Sequence, residues 1–153
     1  MKAGCDPGVT GAFALLEDDL SVITVVDMPT MLLGAHKQQV NAAEVSRILK
    51  SWLSTGKFPM YLELVHTMPQ QGVVSSGNFM ESVGVVKGVC AALEIPVILV
   101  TPQKWKKAAG LIGKPKDASR SLAQQFYPEL DLSLKKHVGR ADALIIARMG
   151  FLC

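Results

Sequence analysis

The chain has 153 residues, enough for one domain (1–153) built around one core. With 49% apolar and 19% charged residues it reads as a folded globular protein, which excludes intrinsic disorder. The net charge of +3 is unevenly placed: residues 1–100 hold 6 Lys/Arg against 9 Asp/Glu, and residues 101–153 hold 10 against 4. A solvated face and a phosphate-backbone footprint both fit that C-terminal excess.

The predicted elements begin with a meander. KAGCD, a turn, and AFALL are followed by a polar break at Glu17–Leu20 and the β-branched strand SVITVVDM (21–28). MPTMLLGAHKQQ (28–39) reads as a loop. Asn41 is a helix N-cap with Glu44 three residues on, and Ala43, Val45, Ile48, Leu49 and Trp52 give an amphipathic helix ending near Gly56. FPMYLELV (58–65) is a short buried strand with Glu63 inside it, followed by the polar loop HTMPQQGVVSSGN. Residues 79–93 form an apolar helix whose Gly84 and Gly88 share a face. Interior glycine costs a helix about 1 kcal/mol relative to alanine, so a close helix–helix contact, within the fold or across a dimer, is expected there. IPVILV (95–100) is another buried strand; Thr101 as N-cap with Pro102 at N1 starts the next helix. Residues 116–126 and 139–150 follow as helices. Three meander strands followed by alternating strands and helices predict an α/β domain with a mixed sheet.

No apolar run is long enough for a transmembrane span, and the N-terminus lacks a signal-peptide core. The three cysteines, Cys5, Cys90 and Cys153, match no metal or disulfide spacing and read as reduced thiols of a cytoplasmic protein.

Two carboxylates break apolar strands, Asp6 and Glu63, and Asp142 interrupts an apolar helix. A buried carboxylate needs a cation or hydrogen-bond donors. Arg140 and Arg148 are available as structural partners. Alternatively, three acids converging from two strands and a late helix would suit a hard divalent cation, which prefers oxygen ligands and bridges to phosphate. CDPGVTG (5–11) leaves the same choice open, because such a turn can also cradle a nucleotide phosphate.

Together CDPGVTGAFALL (5–16), YLELVHTMPQQGVVSSGNF (61–79), VTPQKWKKAAGLIGKPKDASRSLAQQFYP (100–128) and GRADALIIA (139–147) resemble the RuvC-type Holliday-junction resolvases, in their compact phage-like branch. The resemblance implies a ribonuclease-H-like fold, a mixed five-stranded sheet flanked by helices. It also implies a homodimer that cuts four-way and other branched DNA with magnesium, manganese substituting, and two ions per site. Asp6, Glu63 and Asp142 would be the metal ligands. His66 lies where relatives place an aromatic side chain that inserts at the crossover. Lys104, Lys106, Lys107, Lys114, Lys116, Arg120, Lys135 and Lys136 would contact backbone phosphates, which position DNA without reading sequence.

The chain departs from the family at one point. Relatives carry another acid or a histidine three or four residues before the last ligand, and here those positions hold Gly139 and Val138. His137, five residues back, is off that helical face and would assist catalysis only from the preceding loop. The departure keeps a second reading open, a junction-binding protein with little catalysis. A third, a nucleotide-binding kinase or ATPase, would need a second domain for which 153 residues leave no room.

Overall fold

Strand alternation sets the architecture. The computed structural model describes residues 1–35, 37–64 and 73–153, with only the backbone of 73–76. Strands β1 (Lys2–Asp6), β2 (Ala12–Leu16) and β3 (Val22–Asp27) form the expected antiparallel meander. Strand β6 (Met60–Glu63) adds parallel to β1, and β7 (Val97–Val100) parallel to β6. The sheet order is β3-β2-β1-β6-β7, the mixed five-stranded sheet of a ribonuclease-H-like fold.

The segment read as a loop contains a separate antiparallel hairpin, β4 (Thr30–Leu33) and β5 (Lys37–Val40). Its strands expose Met31, Leu32 and Leu33 and bury only Val40 fully, so no alternation of apolar residues marks them. Helix α1 (Ala42–Leu53) starts as expected, with Asn41 Oδ1 accepting from the Glu44 amide at 3.2 Å, and buries Val45, Leu49 and Trp52. Helix α2 (Val73–Ala92) begins earlier than its apolar stretch suggests.

Side chains alternate across the strands, so the sheet has two different faces. Ala3, Cys5, Phe13, Leu15, Met60 and Leu62 point to the layer of α1 and α2. Trp52 meets Phe13 and Phe58 there edge to face, with centroids 6.3 and 6.1 Å apart. The opposite face carries Ala12, Ala14, Leu16, Tyr61 and Val100. It packs against α3 (Pro102–Ala108), α4 (Ala118–Phe126) and α5 (Val138–Met149) through Trp105, Ala123 and the buried run from Ala143 to Ala147.

Helix α5 lies directly on β1 because Gly4 has no side chain. A Cβ there would overlap the Ala143 carbonyl oxygen and stand 2.9 Å from Ala147 Cα. Gly84 and Gly88 behave differently: both are exposed on α2 with open space around them. The close contact expected of them within the fold is absent.

Candidate active site

The parallel register of β1 and β6 pairs Cys5 with Leu62, so Asp6 and Glu63 are the next residues on each strand. Cys5 and Leu62 belong to the α1–α2 face, which turns Asp6 and Glu63 toward α5. Asp142 sits one turn into α5 on the side that meets them. Asp6, Asp142, Thr10, Lys116, Asp117, Lys135, Lys136, Val138 and Gly139 line an open cleft of about 620 Å³. Glu63 is buried behind it, 9% exposed.

The three acids feel one another. Burial, then Glu63 and Asp142, push Asp6 up to about 7, against a weak opposing bond from the Gly8 amide at 3.4 Å. Burial raises Glu63, opposed by a hydrogen bond from Trp105, with the Asp142 charge adding to the rise. Burial also raises Asp142, opposed by the nearby Ser119 hydroxyl and by Lys106 and Lys116. Ser119 lies close but makes no directed hydrogen bond: its Oγ and Asp142 Oδ1 are both buried without partners.

Neither arginine that the sequence offered as a structural partner is used here. Arg140 Nε and Nη2 donate to Asp27 Oδ1 and Oδ2 at 2.5 and 2.7 Å. Arg148 stacks its guanidinium 4.0 Å from the Phe126 ring centroid. The cations that act on the acids are Lys106 and Lys116, beside the hydrogen bonds from the Gly8 amide and Trp105.

The fit to a divalent cation rests on this uncompensated set. The donors are all oxygen, one carboxylate oxygen is orphaned, and no guanidinium competes, which matches a hard cation. Among the described residues, however, no three His, Cys, Asp or Glu side chains are gathered closely enough to form a ready metal-binding group.

One of the two positions without the expected acid, Gly139, is closed to a side chain by its surroundings. A Cβ on Gly139 would overlap the Thr10 carbonyl oxygen and stand 2.8 Å from Gly11 Cα. Position 139 therefore cannot carry any side chain while α5 rests against the turn after β1. Val138 lines the cleft and has room to be replaced.

His137 ends a short 3-10 turn, Lys135–His137, and is buried with Nδ1 unpartnered. It lines a neighbouring depression with Val9, Thr10, Gly11, Asp27 and Lys136 and does not line the carboxylate cleft.

The expected DNA contacts divide. Lys116, Lys135 and Lys136 line the cleft; Lys106, Lys114 and Lys116 line an adjoining hollow that Asp142 also borders. Lys107 is exposed on α3, and Lys104 Nζ donates to the Cys153 carbonyl oxygen at 3.3 Å. Arg120 is not free as expected. Its guanidinium donates to the Leu132 and Ser133 carbonyls and pairs with Asp117 at 3.5 Å, which makes it a strut between α4 and the following loop. His66 lies outside the described residues.

Trp105 is not among the residues that the sequence singled out for the site. The residue is fully buried, yet its Nε1–H donates to Glu63 Oε1 at 2.9 Å. The signal was available in outline: a buried tryptophan needs an acceptor for its one polar group.

Comparison with known structures bears on this arrangement. RuvC from T. thermophilus, in complex with a Holliday junction substrate, superposes with a TM-score of 0.64 over 95% of this chain and 88% of that one, at 14% identity. A second Thermus thermophilus RuvC structure gives 0.59, covering 97% and 95%, at 18% identity. This chain has the RuvC fold. No protein-family model matches it, and no curated protein matches it in sequence. Among the described residues, no helix is long and apolar enough to cross a membrane.

Proposed function

We propose that the protein is a metal-dependent endonuclease that resolves four-way DNA junctions, and that it works as a homodimer. The observation that carries this reading is the set of Asp6, Glu63 and Asp142 on the α5 face, Glu63 buried and the other two half-buried, within electrostatic reach of one another and left without arginine, on a RuvC fold. Asp6, Glu63 and Asp142 would hold one or two magnesium ions, with manganese substituting. When bound, such ions supply an activated water and neutralise charge on the phosphate.

The chain's own residues account for the rest. Lys116, Lys135 and Lys136 hold flanking phosphates along the cleft, and Lys106 neutralises charge beside the acids. The reaction is hydrolysis of a phosphodiester. Water oxygen bonds to phosphorus and the bond to the 3′ oxygen breaks, leaving a 5′-phosphate and a 3′-hydroxyl. Two-fold symmetry of the junction calls for two sites related by a dimer axis. The exposed face of α2, with Met80, Gly84 and Gly88 open to a partner, is the candidate interface.

A second reading is binding without cutting, favoured by the side-chain-free position 139 and by the carboxylates standing apart. The phosphate-cradling turn of a kinase or ATPase is less well supported, because the Gly11 amide is spent within the turn on the Gly8 carbonyl at 2.8 Å.

Cleavage of a labelled four-way junction in magnesium or manganese, beside linear duplex, tests the proposal. Symmetric nicks confined to the junction and lost in Asp6→Asn are expected. Tight junction binding with no nicks in either metal would establish the second reading instead.

A further inference from the structure

We propose that Trp105 is a positioning residue for Glu63, fixing which carboxylate oxygen faces the cleft. The inference rests on the functional reading above. Trp105 projects from α3, immediately after β7, while Glu63 ends β6, and β7 pairs beside β6 with Val100 opposite Glu63. The indole N–H is a donor only and cannot serve two partners. It binds Glu63 Oε1 at 2.9 Å inside the core, so that oxygen is committed and Oε2 is the one left for a cation. The ring is held on every side, because Trp105 is 0% exposed and packs with Tyr61, Leu144 and Ile145 in one cluster.

Two neighbours tie this contact to DNA binding. Lys106 Nζ stands 5.2 Å from the Trp105 ring centroid and acts electrostatically on all three acids. Thr101 caps the start of α3 by accepting from the Lys104 amide, which fixes the helix carrying Lys104, Lys106 and Lys107 to the end of β7. The same short helix therefore orients an acid on its inner side and offers lysines on its outer side.

Tryptophan emission and metal dependence test the role together. The chain has two tryptophans, and Trp52 belongs to the opposite face of the sheet, so replacing it leaves Trp105 as the one emitter without touching its surroundings. Magnesium or calcium titrated into the Trp52→Phe protein should shift Trp105 emission, and adding Glu63→Gln should remove the shift. Trp105→Phe keeps most of the ring and loses the donor. It should raise the magnesium concentration for half-maximal cleavage about tenfold, the lower end of what outer hydrogen-bond partners of metal ligands contribute, with junction affinity unchanged.

Wild-type magnesium dependence in folded Trp105→Phe would overturn the proposal. So would Trp105 emission that ignores magnesium at concentrations supporting cleavage. If Trp105→Phe does not fold, the Trp52→Phe titration decides alone: a saturable shift supports the role and its absence overturns it. If the wild-type protein does not cut junctions, a shift abolished by Glu63→Gln supports the positioning role while the nuclease reading fails. Cutting with no shift leaves the nuclease reading standing and removes this one.

Discussion

The two faces of the central sheet solve opposite problems. The face under α1 and α2 is filled with large side chains, Phe13, Leu15, Leu49, Trp52, Met60 and Leu62, and every one is apolar. The face under α5 is built from small residues near β1, with Gly4, Ala12, Ala14, Ala143 and Ala147 at the contact. Small residues let α5 come close, and closeness carries Asp142 to Asp6 and Glu63. One face is stabilised by filled volume, at about 1.5–3 kcal/mol for each large apolar side chain buried. The other is small only where α5 crosses β1, is filled elsewhere by Trp105, Leu16, Leu144, Ile145 and Ile146, and carries the three acids. The two-residue period of the strands thus confines the acids to one face, while both faces bury apolar volume.

The sharpest way to break the comparison is to remove the charge from the second face. Asp6→Asn, Glu63→Gln and Asp142→Asn should each lower junction cleavage by about 1000-fold or more, equivalent to about 4 kcal/mol of transition-state stabilisation. Each should also raise the melting temperature of the metal-free protein, because a repelling, desolvated carboxylate is gone. Single-turnover cleavage and thermal melts measure the two effects in one preparation. A variant that lost activity and stability together would show that its acid is structural.

The faces should also respond differently to size. Leu62→Ala, on the filled face, should cost about 2–5 kcal/mol by opening a cavity. Gly139→Ala, on the close-approach face, should cost about 1–3 kcal/mol by overpacking, since its Cβ meets the backbone of Thr10 and Gly11. Denaturant unfolding reads both. Val138→Asp, one residue away, should fold normally and add an oxygen donor to the cleft. If cleavage is limited by the absent fourth acid, Val138→Asp raises the rate and Gly139→Asp does not.

The pH dependence follows from the same acids. Asp6 has an ordinary carboxylate pKa near 3.8 when unfolded and about 7 when folded. Between those values the unfolded chain releases a proton that the folded chain keeps, so raising the pH favours unfolding. Glu63 and Asp142 are raised as well and carry the same sign. The metal-free protein should lose about 2 kcal/mol between pH 5 and pH 8, as measured by urea unfolding. Asp6→Asn should flatten that slope, and so should saturating magnesium. A wild-type protein equally stable at both values would show that burial and repulsion do not raise the acids in solution.

The fold was largely legible because its strands carry strong patterns. AFALL and MYLE are fully buried, and the caps at Asn41 and Thr101 mark helix starts that the structure keeps. The β4–β5 hairpin escaped notice because its exposed Met31, Leu32 and Leu33 form no alternating pattern. The acids were legible as charges interrupting apolar runs. Their surroundings were not, because a partner is chosen by tertiary geometry. Nothing local tells Arg140 to bind Asp27, which is 113 residues away, or Trp105 to bind Glu63. Arg120 shows the same limit: its charge fits a phosphate contact, and only the fold reveals that the loop carbonyls take it.

The basic segment offers the smallest and most discriminating effect. If about six lysines contact phosphates, log K for the junction should fall with log salt at a slope near −5, each contact contributing about −0.9. Lys135→Ala or Lys116→Ala, both in the cleft lining, should reduce the steepness by about 1 and weaken binding similarly for all junction sequences. Arg120→Ala should leave the slope unchanged and instead lower stability by about 1–2 kcal/mol, because it unties α4 from the loop at Leu132 and Ser133. Fluorescence anisotropy across a salt series separates the two kinds of cation. A slope that flattened in Arg120→Ala would mean that its guanidinium leaves the loop for DNA. The strut and the phosphate contact would then be alternative states of one side chain.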